Sequence, residues 1–197
     1  MRKLILRMLL TLDEVAAGEN GQIANVNYGD EGSWGDIFVT LKTVDAMLIG
    51  ATAHREYLDY WKSVLSNPKA KPNERRFAEI DARTPHYVLS RSLRSVGYPN
   101  ASVLPRGVDG IADLKRQKGG DILMWGGPTV AAAAIEAGQV DEYHFDIHPV
   151  IAGGGKKLFA NVDGAQGLRH LGTTIHPTGV LTIKYARSES LSGEASA

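Results

Sequence analysis

The chain has 197 residues, 43% of them hydrophobic and 22% charged, the size and balance of about one globular domain with a core large enough to need no covalent staple. Its 22 basic and 22 acidic residues cancel, which argues against a general polyanion binder. It has no cysteine, which removes disulfides, thiolate metal sites, iron–sulfur clusters and cysteine nucleophiles together.

Met1 to Leu6 resembles the start of a signal peptide. Arg7 interrupts the apolar run, however, and Asp13 and Glu14 stand where a small-residue cleavage site belongs. No apolar stretch reaches the ~18–20 residues of a membrane span. The expectation is a soluble, cytoplasmic protein.

Residues 2–12 read as a strand, and 16–29, rich in Gly and Asn, as a long loop. Trp34, Ile37, Phe38, Leu41 and Val44 fall at helical spacing and predict a helix over 31–44, with Trp34 on its core stripe. Ala46 to Ile49 is a buried strand stopped at Gly50, followed by a helix to about Trp61. Residues 66–72 form a surface loop, and a polar helix opens at Asn73. Strands are expected at 86–90 and 101–104, then a helix capped by Asp109 and ended by Gly119-Gly120. Ile122 to Trp125 is a buried strand. Pro128 suits the first turn of the next helix and Gly138 its stop. Tyr143, Phe145 and Ile147 alternate with His144, Asp146 and His148, which predicts a half-buried strand. Strands near 168–175 and 179–187 close as a hairpin through Pro177 and Gly179. The tail Ser188 to Ala197 is expected to be disordered. The pattern is that of an α/β layered fold, a mostly parallel sheet with antiparallel strands at its C-terminal edge, in one domain over 1–187.

Three segments have the composition of ligand loops. In Trp125-Gly126-Gly127-Pro128-Thr129-Val130 a buried strand runs through two glycines into a helix. Glycines let a ligand approach the backbone, and the helix N-terminus favours an anion such as phosphate. An ordinary tight turn explains the same residues about as well. Ser90-Arg91-Ser92 follows a strand; hydroxyls and a guanidinium there suit a phosphate monoester, although a solvated loop explains them too. Gly153-Gly154-Gly155-Lys156-Lys157 is a flexible loop without the Lys-Ser/Thr of a P-loop. His144, Asp146 and His148 lie on one strand face. One strand does not readily converge three ligands on an ion, so the expectation is no metal and a polar sheet face, with a subunit contact as one use for it. Trp34, Trp61 and Trp125 could stack on a flat heterocycle or sit in the core.

Four stretches carry a resemblance in order and spacing: Asp45 to Gly50 with Tyr60-Trp61; Val88 to Leu93; Gly119 to Thr129; and Glu136 to Tyr143 running into Pro149-Val150 and Gly153 to Phe159. Over residues 2–187 the chain resembles the reductase domain of the riboflavin-biosynthesis deaminase–reductase, which is similar in fold to dihydrofolate reductase. The resemblance implies a dihydrofolate-reductase-like three-layer fold, a nicotinamide cofactor (usually NADPH, with NADH as the other form), and a homodimer. It places Ser90 and Arg91 at the 2′-phosphate, and Gly126, Gly127, Pro128, Thr129 and Val130 under the pyrophosphate. Gly50 falls beside the cofactor, and Thr52 or Arg55 could compensate there for the arginine and threonine that the family has and this chain lacks. Asp13 matches the carboxylate of the substrate-lining element.

Some positions depart from the family pattern. Gly50-Ala51-Thr52-Ala53-His54-Arg55 replaces a Gly-Arg-x-Thr-Tyr-Glu pattern, Glu14 replaces a glycine, and Trp125 replaces a substrate-contacting glutamate. Trp34 falls about where dihydrofolate reductase has its catalytic acid, with Asp36 two positions on. No zinc deaminase domain is expected within these residues, which hold no cysteine. The expected activity is NAD(P)H-dependent hydride transfer to a small heterocyclic or carbonyl substrate, with Asp13 and Asp36 the candidate catalytic carboxylates and Asp13, Trp34 and Trp125 the substrate side. The alternatives are a stand-alone 5-amino-6-(5-phosphoribosylamino)uracil reductase and a non-enzymatic nucleotide-binding module.

Overall fold

β1 (Leu4–Thr11) is apolar on both faces except at Arg7 and the terminal Thr11, and strands buried on both sides are the mark of a central parallel strand. The computed structural model describes residues 1–19 and 31–188. β2 (Val15–Ala17) and α1 (Glu31–Thr40) follow, then β3 (Val44–Gly50), α2 (His54–Ser66), α3 (Pro72–Arg83), β4 (His86–Leu89) and β5 (Ala101–Leu104). A 3₁₀ turn (Gly107–Asp109) leads into α4 (Gly110–Arg116), followed by β6 (Asp121–Trp125), α5 (Pro128–Glu136), β7 (Glu142–His148), β8 (Lys156–Lys157), β9 (Leu168–Ile175) and β10 (Leu181–Arg187).

The eight-stranded sheet has the order β5-β4-β3-β6-β1-β7-β10-β9. Pairings from β5 to β7 are parallel, and β10 runs antiparallel to both β7 and β9. Helices α4 and α5 pack on one face, with Ile111, Leu114, Ala131, Ala134 and Ile135 against Leu4, Leu6, Met8, Ile122 and Met124. On the other face Ile37, Phe38 and Leu41 of α1 and Phe77 of α3 pack against Ile5, Met47 and Leu123. This is the expected α/β three-layer architecture. No helix of the described residues is long and apolar enough to cross a membrane.

Local chemistry explains most boundaries. Pro128 opens α5, and Gly138, at φ +61, closes it: the amides of Gly138 and Gln139 return to Ile135 O (2.9 Å) and Ala134 O (3.0 Å), a Schellman end.

Four expectations need correction. Val44 belongs to β3 and not to the α1 stripe, because α1 ends at Thr40. Val15–Ala17 is not loop: it pairs with Lys156–Lys157. The rest of the 16–29 loop, from Asn20, and the tail beyond Ser188 lie outside the described residues. Asp109 is no side-chain cap, since it already has helical dihedrals inside the 3₁₀ turn.

The fourth correction concerns β7, which is not half-buried. Its His144, Asp146 and His148 are 5%, 1% and 3% exposed. Within this one chain they find partners beside α1 and β10: His144 Nδ1 lies 3.5 Å from Thr40 Oγ1, and Asp146 accepts from Arg7 and Thr182. A polar stripe that alternates with apolar residues reads as a wet face. Here the polar residues complement one another and the face is dry.

Candidate functional site

Adjacent parallel strands end at the same edge, and open α/β sheets take ligands at carboxyl ends. β4, β3 and β6 are neighbours, ending at Leu89, Gly50 and Trp125. The structure therefore brings Gly50 and Thr52, Ser90 and Arg91, and Gly126 to Val130 to one edge. Gly50 pairs with Leu89, and Ala51 N–H donates to Leu89 O (3.2 Å).

The glycines divide by role. A Cβ on Gly50 would lie 3.4 Å from Val130 Cβ, and one on Gly126 3.3 Å from Val130 Cγ1, so both let α5 sit tight on the strand ends. Around Gly127 nothing lies within 4 Å of such a Cβ. Val130 and Ala131 N–H both donate to Gly127 O at 3.1 Å, and Pro128 has no N–H. The amides of Gly127 and Thr129 are thus left without an intrahelical acceptor at the positive end of α5. That cradle fits a phosphate group. Thr129 and Thr52 are exposed beside it.

Ser90 Oγ accepts from the amides of Ser92 (3.2 Å) and Leu93 (2.9 Å), closing the turn after β4. Arg91 is exposed, and its stem lies against Gly107, where a Cβ would meet Arg91 Cγ at 3.6 Å. Among the described residues it has no carboxylate within ion-pairing distance, unlike its neighbour Arg106, which is paired with Asp113. A free guanidinium at the strand edge suits a second phosphate. In the altered 51–55 segment His54 is buried and its Nδ1 sits 2.6 Å from Ala51 O, so that nitrogen is the donor and the ring braces the turn after β3.

The remaining candidates lie toward β1 and α1. Asp13 follows β1, and its carboxylate accepts from Thr11 Oγ1 (2.6 Å), Ala152 N (3.0 Å) and Gly153 N (2.9 Å). The Thr11 hydroxyl and then these two amides hold its pKa well below the usual carboxylate range. It is an acceptor that ties the glycine-rich segment to the end of β1, not a proton donor. Glu14, next in the chain, has φ +68, the conformation that favours the glycine it replaces.

Trp34 is part of an aromatic cluster: it stacks on Phe38 at 5.8 Å and edges Trp61 at 6.3 Å. Phe77 lies 5.8 Å from Trp34 and 5.9 Å from Trp125. The two candidate tryptophans thus flank one phenylalanine on the α1–α3 face. For Asp36, burial pushes the carboxyl up. The Lys184 hydrogen bond (2.6 Å) and charge, the nearby Arg7 charge and Thr174 outweigh this and leave it below its ordinary range. Asp36 is held ionised, which does not suit a general acid.

Sequence reasoning missed Arg7. It is fully buried on β1, its Nη2 donates to Asp146 at 2.7 Å, and it stands in register with Trp125. The available signal was a charge in the middle of an eight-residue apolar strand. Burial also lowers the pKa of His148 at the end of β7, against the pull of Asp146.

A family model for the RibD C-terminal domain matches residues 2–183. The uncharacterized protein YyaP of Bacillus subtilis (strain 168) is 27% identical over 184 residues, covering 93% of this chain and 94% of that protein. Among solved structures, a putative riboflavin biosynthesis protein from Shewanella sp. PV-4 superposes with a TM-score of 0.70 at 18% identity, covering 94% of this chain and 99% of that one. A deaminase/5-amino-6-(5-phosphoribosylamino)uracil reductase from Thermotoga maritima gives 0.67 at 15% identity, covering 95% of this chain and 57% of that one. Dihydrofolate reductase from Enterococcus faecalis, complexed with NADP(H), gives 0.60 at 16% identity, covering 95% and 97%. With its fold shared by these proteins and a match running almost from end to end, the chain belongs to the RibD C-terminal domain family, a family of reductase domains.

Proposed function

We propose that the protein is an NAD(P)H-dependent reductase that delivers hydride to a small heterocyclic or carbonyl substrate. The observation that carries this reading is the alignment on three adjacent strands of an open glycine cradle at Gly127, the N-terminus of α5 and the unpaired Arg91. A dinucleotide has two features for such an edge to recognise, a pyrophosphate and, in NADPH, a 2′-phosphate.

The Gly127 and Thr129 amides would hold the pyrophosphate, with the Thr129 and Thr52 hydroxyls within the same edge. Arg91 would hold the 2′-phosphate. The bound nicotinamide supplies the hydride; the protein supplies orientation and electrostatics. Trp34 and Trp125 lie on the substrate side. With Asp13 and Asp36 both held as carboxylates, the proton that completes the reduction comes from water or from the substrate itself.

The test is titration of the purified protein with NADPH and NADH, before and after Arg91→Ala. NADPH affinity should fall ~10-fold or more, the scale of a charge-assisted hydrogen bond, while NADH affinity stays within about twofold. Equal losses for both nucleotides would remove Arg91 from the 2′-phosphate, and no binding of either would end the reductase reading.

A further inference from the structure

Arg7 carries a set of hydrogen-bond donors that the fold does not use. A guanidinium has N–H donors on Nε, Nη1 and Nη2 and no acceptor. Nη2 is spent on Asp146, but Nε and Nη1 are buried and have no partner among the described residues. The indole Nε1 of Trp125 is in the same condition. Buried donors are rarely left unmet, and an unexplained one calls for a ligand or a water.

These orphans stand together. β1 and β6 are adjacent and parallel, and Arg7 is the register partner of Trp125. Both side chains lie on the α1–α3 face, because Ile5 and Leu123, two residues before each, belong to that core cluster. Trp125 is the last residue of β6, and the open glycine of the cradle, Gly127, lies two positions on. The donor pair therefore borders the edge at which the nucleotide is placed above.

The charges nearby define what the donors can take. Arg7 is matched by Asp146, and Asp36 by Lys184 at 2.6 Å. These two pairs cancel, and His176, 3.7 Å from Asp36, adds a positive charge only when protonated; with its ring neutral, a buried anion arriving there would add an uncompensated charge. A neutral acceptor would not. We propose that Arg7 and Trp125 form the substrate-binding donor edge of this reductase, recognising the carbonyl oxygen of a neutral, flat molecule. Hydrogen bonds from a guanidinium draw electron density from a carbonyl and from carbons conjugated to it, the direction that favours hydride acceptance. This inference rests on the reductase reading for its functional meaning; the binding it asserts can be observed separately.

The probes are coumarin, flat, neutral and carbonyl-bearing, and 1-naphthoate, of similar size but anionic, titrated into ¹⁵N-labelled protein with and without NADPH. Three tryptophans give three indole N–H resonances, and Trp125→Phe identifies its own by deletion. Arg7→Lys, which keeps a positive charge opposite Asp146, identifies the Arg7 Nε–H. The expected result is saturable movement of these two resonances with coumarin, with affinity reduced ~5–10-fold by either substitution. Movement with 1-naphthoate but not coumarin overturns the neutral-carbonyl assignment. No movement with either probe, while NADPH still binds, overturns the donor edge and leaves the reductase reading standing. Movement with coumarin in a protein that binds no nucleotide supports the donor edge and overturns the reductase reading instead.

Discussion

Removing one member of the Arg7–Asp146 pair should destabilise the protein more than removing both. The two side chains are 0% and 1% exposed and 2.7 Å apart. At an effective dielectric near 20, such a pair interacts by about 4 kcal/mol, a value offset by the desolvation of both charges. Breaking it leaves one charge stranded, at about 3–5 kcal/mol. The two ends of that range belong to different variants. In Arg7→Met the remaining Asp146 keeps its bond from Thr182 Oγ1 (2.6 Å) and can take up a proton, so the loss should lie near 3 kcal/mol. In Asp146→Leu the stranded group is a guanidinium that cannot deprotonate, and the loss should lie near 5 kcal/mol. The double variant Arg7→Met/Asp146→Leu replaces a polar contact by an apolar one and should fall within about 2 kcal/mol of the parent. At about 2–4 °C per kcal/mol for a chain of this size, the single variants should melt about 6–20 °C lower, with Asp146→Leu the worse. Urea unfolding of the four proteins gives the cycle. Single losses below 1 kcal/mol, or a double loss equal to their sum, would refute the view that the pair is dry and mutually dependent.

Three further outcomes follow from single positions. Gly127→Ala should separate stability from binding: Gly127 has φ −65 and ψ 152, which alanine adopts, and open space at Cβ, so unfolding should move by no more than about 1 kcal/mol while NADPH titration shows a loss of ~10-fold or more. Glu14→Gly should raise the melting temperature, because it relieves a left-handed conformation worth roughly 1–2 kcal/mol at the expense of part of that in chain entropy; a lower melting temperature would contradict this. Glu142 has its pKa lowered to about 2, first by the hydrogen bond from His144 and then by Lys3, against burial. A depressed carboxylate contributes stability above its unfolded value, and that contribution is lost as pH falls through the folded one. Acid unfolding between about pH 4.5 and 2 should therefore be shallower in Glu142→Gln than in the parent, and parallel curves would remove Glu142 from the linkage.

The strand–helix alternation, Pro128, Gly138 and the C-terminal hairpin were legible because each rests on local chemistry: a period, a missing N–H, a residue that tolerates positive φ. The candidate ligand edge was legible only as separate segments. That Gly50, Arg91 and Gly127 share one edge depends on the strand order β4-β3-β6, which no local signal encodes. The distinction between Gly126 and Gly127 is likewise tertiary, since it turns on where Val130 packs. The buried polar face failed for a related reason. His144, Asp146 and His148 alternate with apolar residues just as an exposed strand does, and only the arrival of Arg7, Thr40 and Thr182 from other elements makes the face dry. Asp13 and Asp36 carry the right chemistry for acid–base work, but their hydrogen-bond partners, 139 and 148 residues away in sequence at Ala152 and Lys184, fix them as anions.

The end of β6 separates two tasks. Its residues alternate between faces, so Met124 packs toward α5 and Trp125 toward α1 and α3. At Gly126 the chain leaves the strand and passes beneath Val130 into α5. Two steps of the chain therefore separate the Trp125 indole on one face from the open backbone at Gly127. Anything that shifts β6 along β1 must disturb both, because the Arg7–Trp125 register and the approach of Gly126 to Val130 are set by the same strand. A reductase needs a hydride donor and its acceptor held at a fixed separation. On the proposed reading, an indole donor at the end of β6 and an open cradle two residues beyond it would have that separation fixed through the backbone. On the same reading the Gly-Gly-Pro turn and the tryptophan at 125 are compatible: the turn keeps its open glycine while the neighbouring side chain offers a different donor.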